Sequence, residues 1–156
     1  LVNYQNERFP HVSAFIKLAS EVGKIMSNPD LLKKSEKTQN MRLFDFPKPR
    51  LKKGFFYNCS LSGRLFPQFI EGNKKSDDSL GYEFVFLVLK EDTFNDVGID
   101  NKILHRKIAK GFSRDWMLKN KIVALVIRPD KYIFGSAATE KSVKAVVSHF
   151  YDLYPI

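Results

Sequence analysis

Few side chains in this sequence have the type and spacing that chemistry needs. Glu7 and His11 stand at i, i+4, which can set two metal ligands on one helix face. No second histidine or third ligand stands at a supporting distance, so the pair reads as a surface ion pair. Asp77 and Asp78 are adjacent carboxylates, which act as acid and base only when folding turns them into a common cleft. Lying between Lys74-Lys75-Ser76 and Gly81, they read instead as a turn and a helix-cap substitute. Cys59 is the one cysteine, so there is no internal disulfide and no cysteine-based zinc cage. A redox pair needs a second thiol two residues away, and Ser60, Leu61 and Ser62 supply none. An inert thiol is expected. His105, inside what reads as a short helix beside Lys102, Arg106 and Lys107, and His149, on the boundary of the last helix, read as packing or solvent-facing histidines.

The eight glycines never fall into G-x-G-x-x-G or G-x-x-x-x-G-K-[ST], so no backbone cradle for a dinucleotide or triphosphate is legible. The sequence therefore assigns no catalytic, cofactor-binding or metal residue. Lys and Arg outnumber Asp and Glu by 26 to 17, a formal charge of +9. The positives are spread as pairs (Lys33-Lys34, Lys52-Lys53, Lys74-Lys75) without an aromatic-rich strand of the RNA-binding type, so a solvated surface is expected and nucleic acid is not. Clustering of Lys102, Arg106, Lys107, Lys110, Arg114, Lys119 and Lys121 on one face would instead favour a free-standing module for an acidic protein or nucleic acid. There is no secretory-signal pattern and no apolar run near 18 residues, so no membrane is expected and the cytoplasm is the expected location.

The elements follow from periodicity. Val12, Phe15, Ile16, Ala19, Val22 and Met26 recur at three and four, which predicts an amphipathic helix over Tyr4 to Met26, with Pro10 as a kink or first-turn residue. The text opens at Leu1 inside this helix, so the sequence is expected to begin partway through a larger protein, and the apolar stripe to dock on a domain upstream of it. Ser27, Asn28 and Pro29 end the helix. A stretch rich in Lys, Ser, Asn and Pro runs to Lys53 as a linker, and the compact part begins near Gly54. Arg64 to Ile70 reads as an edge strand, interrupted by Pro67. The continuous apolar runs Phe84 to Leu89 and Ile122 to Ile127 suit strands buried on both faces. Between them Asp100 is expected to cap a short helix with Ile103, Leu104 and Ile108 inward and Gly111 just past its end, and Trp116 to start a second turn of helix or loop. Arg128-Pro129-Asp130-Lys131 predicts a type I turn leading into a strand over Tyr132 to Phe134. Thr139 caps a last helix with the stripe Val143, Val146, Val147, Phe150, Tyr151 and Tyr154.

Four stretches in order carry a family resemblance: Tyr4-Gln5-Asn6-Glu7-Arg8-Phe9-Pro10-His11, Ser62-Gly63-Arg64-Leu65-Phe66-Pro67-Gln68, Asp77-Asp78-Ser79-Leu80-Gly81-Tyr82-Glu83-Phe84, and Val126-Ile127-Arg128-Pro129-Asp130-Lys131-Tyr132. Together they resemble the C-terminal third of flavin-dependent aromatic hydroxylases, closest to the hydroxyphenylpropionate and phenol hydroxylase type. The resemblance implies an α+β, thioredoxin-like domain without redox cysteines over 54–156. It would be preceded by a helix over 1–27 that belongs to an upstream flavin and substrate domain, and by a linker over 28–53. It implies FAD and NAD(P)H for the parent protein, a monooxygenase acting on a phenolic substrate, with both cofactors bound upstream. It leaves this segment a non-catalytic role in scaffold and subunit contact, with the upstream flavin-binding domain or a second copy as partner. The family has a helix, a strand and a further helix between its two central strands. Here only one short helix and the basic stretch Lys102 to Arg114 are legible, so an abbreviated layout is expected.

Overall fold

The computed structural model describes residues 2–28, 30, 50–71, 73–94, 97–100 and 102–155. The chain divides into two compact units, Leu1–Gly54 and Phe55–Ile156. In the first, helix α1 (Val2–Met26) runs 25 residues with Pro10 inside it rather than in its first turn. Within its own unit it buries polar rather than apolar side chains. Val12, Phe15, Ile16 and Met26 are exposed, while Glu7 and His11 are buried and Leu18, Val22 and Ile25 are half-buried. Most of the expected linker over 28–53 lies outside the described residues.

The second unit is a mixed α+β structure around a four-stranded sheet. Strands β1 (Ile70–Glu71) and β2 (Lys74–Lys75) form a small antiparallel hairpin. After α2 (Ser76–Leu80) comes β3 (Phe84–Val88), and after a short 3-10 turn (Glu91–Phe94) comes β4 (Leu104–Ile108). Helix α3 (Gly111–Lys119), strands β5 (Ala124–Ile127) and β6 (Ile133–Ala137), and helix α4 (Glu140–Leu153) complete it. The sheet order is β4-β3-β5-β6, with β4 parallel to β3 and the other two pairings antiparallel.

The two central strands are apolar on both faces because both faces are covered. Phe86, Val88, Ala124, Val126 and Phe134 pack with Val143, Val146, Val147 and Phe150 of α4. Val85, Leu87, Leu125, Ile127 and Ile133 pack on the other side with Met117 of α3, Phe66 and Leu80. Alternate residues of one strand thus feed different cores, as a period of two requires. The last helix starts as its sequence predicts: Ser142 N–H donates to Thr139 Oγ1 at 3.3 Å, and the Ser142 hydroxyl answers to the Thr139 carbonyl.

Several expectations are corrected. The short helix over Ile103 to Ile108 is a strand, β4. Leu104 and Ile108 stand four apart, which puts them on one face in a helix and also in a strand, so the pattern could not separate the two. Pairing with β3 decided it. Asp100 does cap, but it caps a turn: the Lys102 N–H donates to its carboxylate at 2.8 Å and the Leu104 N–H to its carbonyl at 3.1 Å. Gly111, at φ +47°, opens α3 instead of closing a helix, and Trp116 lies well inside α3. Between the central strands the chain therefore has room for the turn, β4 and α3. The segment Arg64 to Ile70 is not a full edge strand. It pairs with the chain entering β6 through one isolated bridge, Leu65 to Tyr132, and no ladder continues past Phe66.

Candidate functional site

The fold gathers three of the four stretches that carry the resemblance at the hairpin between β5 and β6. Lys131 donates its N–H to the Arg128 carbonyl at 2.9 Å, closing the proline-led type I turn. Lys131 then takes φ +66°, and the pairing of β5 with β6 slips by one residue at Val126/Ile127, the usual companion of a left-handed residue after such a turn. The Ser62–Gln68 stretch runs alongside. Gly63 N–H donates to Ile133 O at 2.9 Å, Phe66 N–H to Lys131 O at 2.8 Å, and Ile133 N–H back to Arg64 O at 2.9 Å. The turn after α2 meets it from the other side, since Lys131 Nζ donates to Gly81 O and stands 5.4 Å from the Tyr82 ring centroid. An open cleft of about 480 Å³ results, lined by Asp77, Asp78, Tyr82, Asp130 and Lys131.

Its polar groups are mostly engaged in holding the turn. Asp130 accepts from Arg128 Nε at 3.1 Å and from a second guanidinium nitrogen at 2.9 Å, a bidentate pair, and Asp77 accepts from Gln68 Nε2 at 2.7 Å. Asp77 and Asp78 stand in the first turn of α2, where carboxylates favour the helix dipole. The arrangement fastens three segments together and presents Tyr82, 91% exposed, at the rim.

Cys59 lies elsewhere, half-buried against β6. Its Sγ is 2.9 Å from Ser62 Oγ and 3.2 Å from Ser136 Oγ, and the Ser136 N–H donates to it at 3.3 Å. Burial pushes the thiol up, but hydrogen bonds from Ser136, Ser62 and the Leu61 and Ser136 backbones outweigh it and leave the pKa below the ordinary thiol value. Ser62 supplies no second thiol, but its hydroxyl bonds the sulfur. Its i+3 spacing was also the signal that its hydroxyl could reach the sulfur.

Glu7 and His11 are not a surface ion pair. They are 5% and 7% exposed, with Glu7 Oε1 3.6 Å from Arg8 Nε and the His11 ring edge-on to Phe15 at 5.0 Å. A Cβ on Gly54, at φ +135°, would collide with the Glu7 carboxylate, so glycine at 54 makes room for the buried acid. Among the described residues no group of three His, Cys, Asp or Glu could hold a metal, and no helix is long and apolar enough to cross a membrane. His105 stands on β4 with Nε2 3.1 Å from Glu83 Oε2, and His149 packs on the rings of Tyr57 and Phe134. Within the basic stretch Arg106, Lys107 and Lys110 line one open cleft with Glu91, but Arg106 and Lys107 are anchored differently. Arg106 donates to Ile99 O at 2.9 Å and Lys107 to Ser79 O.

No family model matches the sequence, and no curated protein matches it. Solved structures do. A structure of the rebeccamycin biosynthetic enzyme RebC with reduced flavin superposes with a TM-score of 0.60 at 15% identity, over 96% of this chain and 36% of RebC. This chain shares its fold with part of RebC. A second RebC structure, soaked with K252c, gives a TM-score of 0.58 over 93% of this chain and 35% of that one. The anhydrotetracycline hydroxylase OxyS from Streptomyces rimosus matches less, with a TM-score of 0.40 at 19% identity over 61% of this chain and 21% of its own. The chain spans about a third of the length of RebC. At 15% identity the likeness to RebC is one of fold.

Proposed function

We propose that this chain is the C-terminal part of an FAD- and NAD(P)H-dependent monooxygenase that hydroxylates a phenolic substrate, and that it supplies scaffold and interface rather than chemistry. The observation that carries this reading is the match in fold to RebC over 96% of this chain and 36% of that enzyme. The layout of the second unit supports the finer expectation of a thioredoxin-like domain without a redox pair. A parallel β3-β4 pair is followed by an antiparallel β5-β6 hairpin and a closing helix, with Cys59 as the one thiol. The chain's own residues do not fit a flavin or nicotinamide nucleotide. The turn leaving β3 is Leu89-Lys90 and that leaving β4 carries Gly111 alone, so neither strand-to-helix connection forms the glycine cradle a pyrophosphate needs. Both cofactors would be held upstream.

In this reading the exposed side chains Val12, Phe15, Ile16 and Met26 of α1 are the docking face for the flavin-binding part of the same parent, with a second copy of the chain as the other partner. The reading frame upstream of Leu1 tests the proposal. A G-x-G-x-x-G fingerprint opening a strand-to-helix turn within the preceding few hundred codons is expected. A frame that starts close to Leu1, or lacks the fingerprint, overturns it.

A further inference from the structure

A second cavity shares no lining residue with the cleft at the hairpin. It opens between α2, β4 and the start of α3 and holds about 140 Å³. Most of its walls are apolar: Phe66, Leu80 and Leu87 are buried, and Phe69 stands 6.0 Å from Phe66, ring centroid to centroid, while Ser76, Ser79 and Ser113 complete the lining. The mouth is cationic, with Lys107 and Lys110 both lining it. Lys107 is half-buried and donates to the Ser79 carbonyl, a neutral acceptor that leaves two ammonium protons over. Among the described residues neither lysine forms an ion pair. Glu91 shares an adjoining cleft with both lysines but does not pair with either.

A half-buried ammonium without a carboxylate partner, set at the mouth of an apolar cavity, is the arrangement that favours an anion with an apolar tail. The size restricts the tail, since an apolar cavity of about 150 Å³ takes benzene. Aromatic walls favour a flat ring, which can meet Phe66 and Phe69 edge-on or offset. We propose that this cavity binds a small monocyclic aromatic carboxylate, its ring among Phe66, Phe69, Leu80 and Leu87 and its carboxylate on the Lys107 ammonium. The site is independent of the monooxygenase reading and uses residues of this chain alone.

The test is an amide-resonance titration of the full chain with sodium benzoate, with benzyl alcohol as a neutral probe of the same shape and acetate as a charged probe without a ring. Ionic strength is matched throughout. Saturable shifts confined to the backbone of Leu80, Leu87, Lys107 and Ser113 are expected with benzoate. Benzyl alcohol should bind about tenfold more weakly, the worth of one charge-assisted contact, and acetate should give no localised shift. Lys107→Met keeps the apolar stem and removes the charge. It should weaken benzoate about tenfold and leave benzyl alcohol unchanged, which also reports that the cavity is intact. No saturable shift with benzoate up to about 10 mM overturns the proposal, as does equal affinity for benzoate and benzyl alcohol in the unaltered chain. The second comparison decides the matter even if Lys107→Met fails to fold.

Discussion

Phe150 is where the second unit has most to lose. Its side chain is 0% exposed, and its ring lies 5.0 Å from Phe84, 5.4 Å from Phe134 and 5.1 Å from Tyr154, joining α4 to the central strand and to the hairpin strand. Phe150→Ala removes a fully buried aromatic and opens a void between parts of two strands and a helix that cannot all move inward together. Such truncations cost about 3 to 5 kcal/mol, and the ring pairs, at about 0.5 to 1.5 kcal/mol each beyond area, place this one at the upper end. With a urea slope of about 1.5 kcal/mol/M for a domain of this size, the unfolding midpoint should fall by about 2 to 3 M. Circular dichroism of the full chain in urea measures it, with Tyr82→Ala, at a 91% exposed position, as the control that should move little. If Phe150→Ala shifts the midpoint no further than Tyr82→Ala does, α4 is not packed on this sheet and the description of that core is wrong.

Thr139→Ala should cost about 1 kcal/mol, because the Ser142 N–H loses its acceptor at the first turn of α4, and the same urea titration reads it. Deleting residues Leu1 to Lys53 should leave a folded domain with a cooperative transition near that of the full chain, since both cores are built only from residues after Gly54; a calorimetric scan showing no transition would count against this. Cys59 should alkylate with a pH midpoint below that of a free thiol. Its folded pKa is depressed, so the thiolate's contribution to stability is absent at low pH and grows as pH rises through the folded value toward the unfolded one. Iodoacetamide rates against pH measure the midpoint, and Ser136→Ala should raise it. The isolated chain should bind neither FAD nor a nicotinamide nucleotide, and low-micromolar FAD binding by calorimetry would contradict this.

What was legible in the sequence was what local chemistry determines. The type I turn at Arg128-Pro129-Asp130-Lys131, the Thr139 cap and the two-sided burial of β3 and β5 each follow from a few neighbouring residues, and each stands in the structure. Failures came where a local pattern admits two answers and a distant partner chooses. Leu104 and Ile108 fit a helix or a strand until β3 offers parallel pairing, an interaction some twenty residues away in sequence that periodicity cannot see. The convergence of Gln68 with Asp77, and of Gly81 and Tyr82 with Lys131, was likewise invisible, since nothing in any one of those stretches names the others.

Helix α1 buries two polar side chains that its apolar periodicity did not point to, and this bears on function. Val12, Phe15, Ile16 and Met26, the stripe expected to dock on a domain upstream, are exposed within this chain, while a carboxylate and an imidazole are buried. Burying Glu7 is costly unless its oxygens are satisfied, and evidence that the helix is set for this is the glycine at 54, which leaves space for the carboxylate where any side chain would collide. The polar side of α1 is thus the one fixed within its own unit, and the apolar side is left over. A helix that satisfies buried polar groups on one face and keeps several large apolar side chains on another has two surfaces to cover rather than one. That is the property expected of a helix belonging in part to a neighbouring domain. It is why the proposed docking of the flavin-binding part rests on Phe15 and Ile16 rather than on the composition of the helix as a whole.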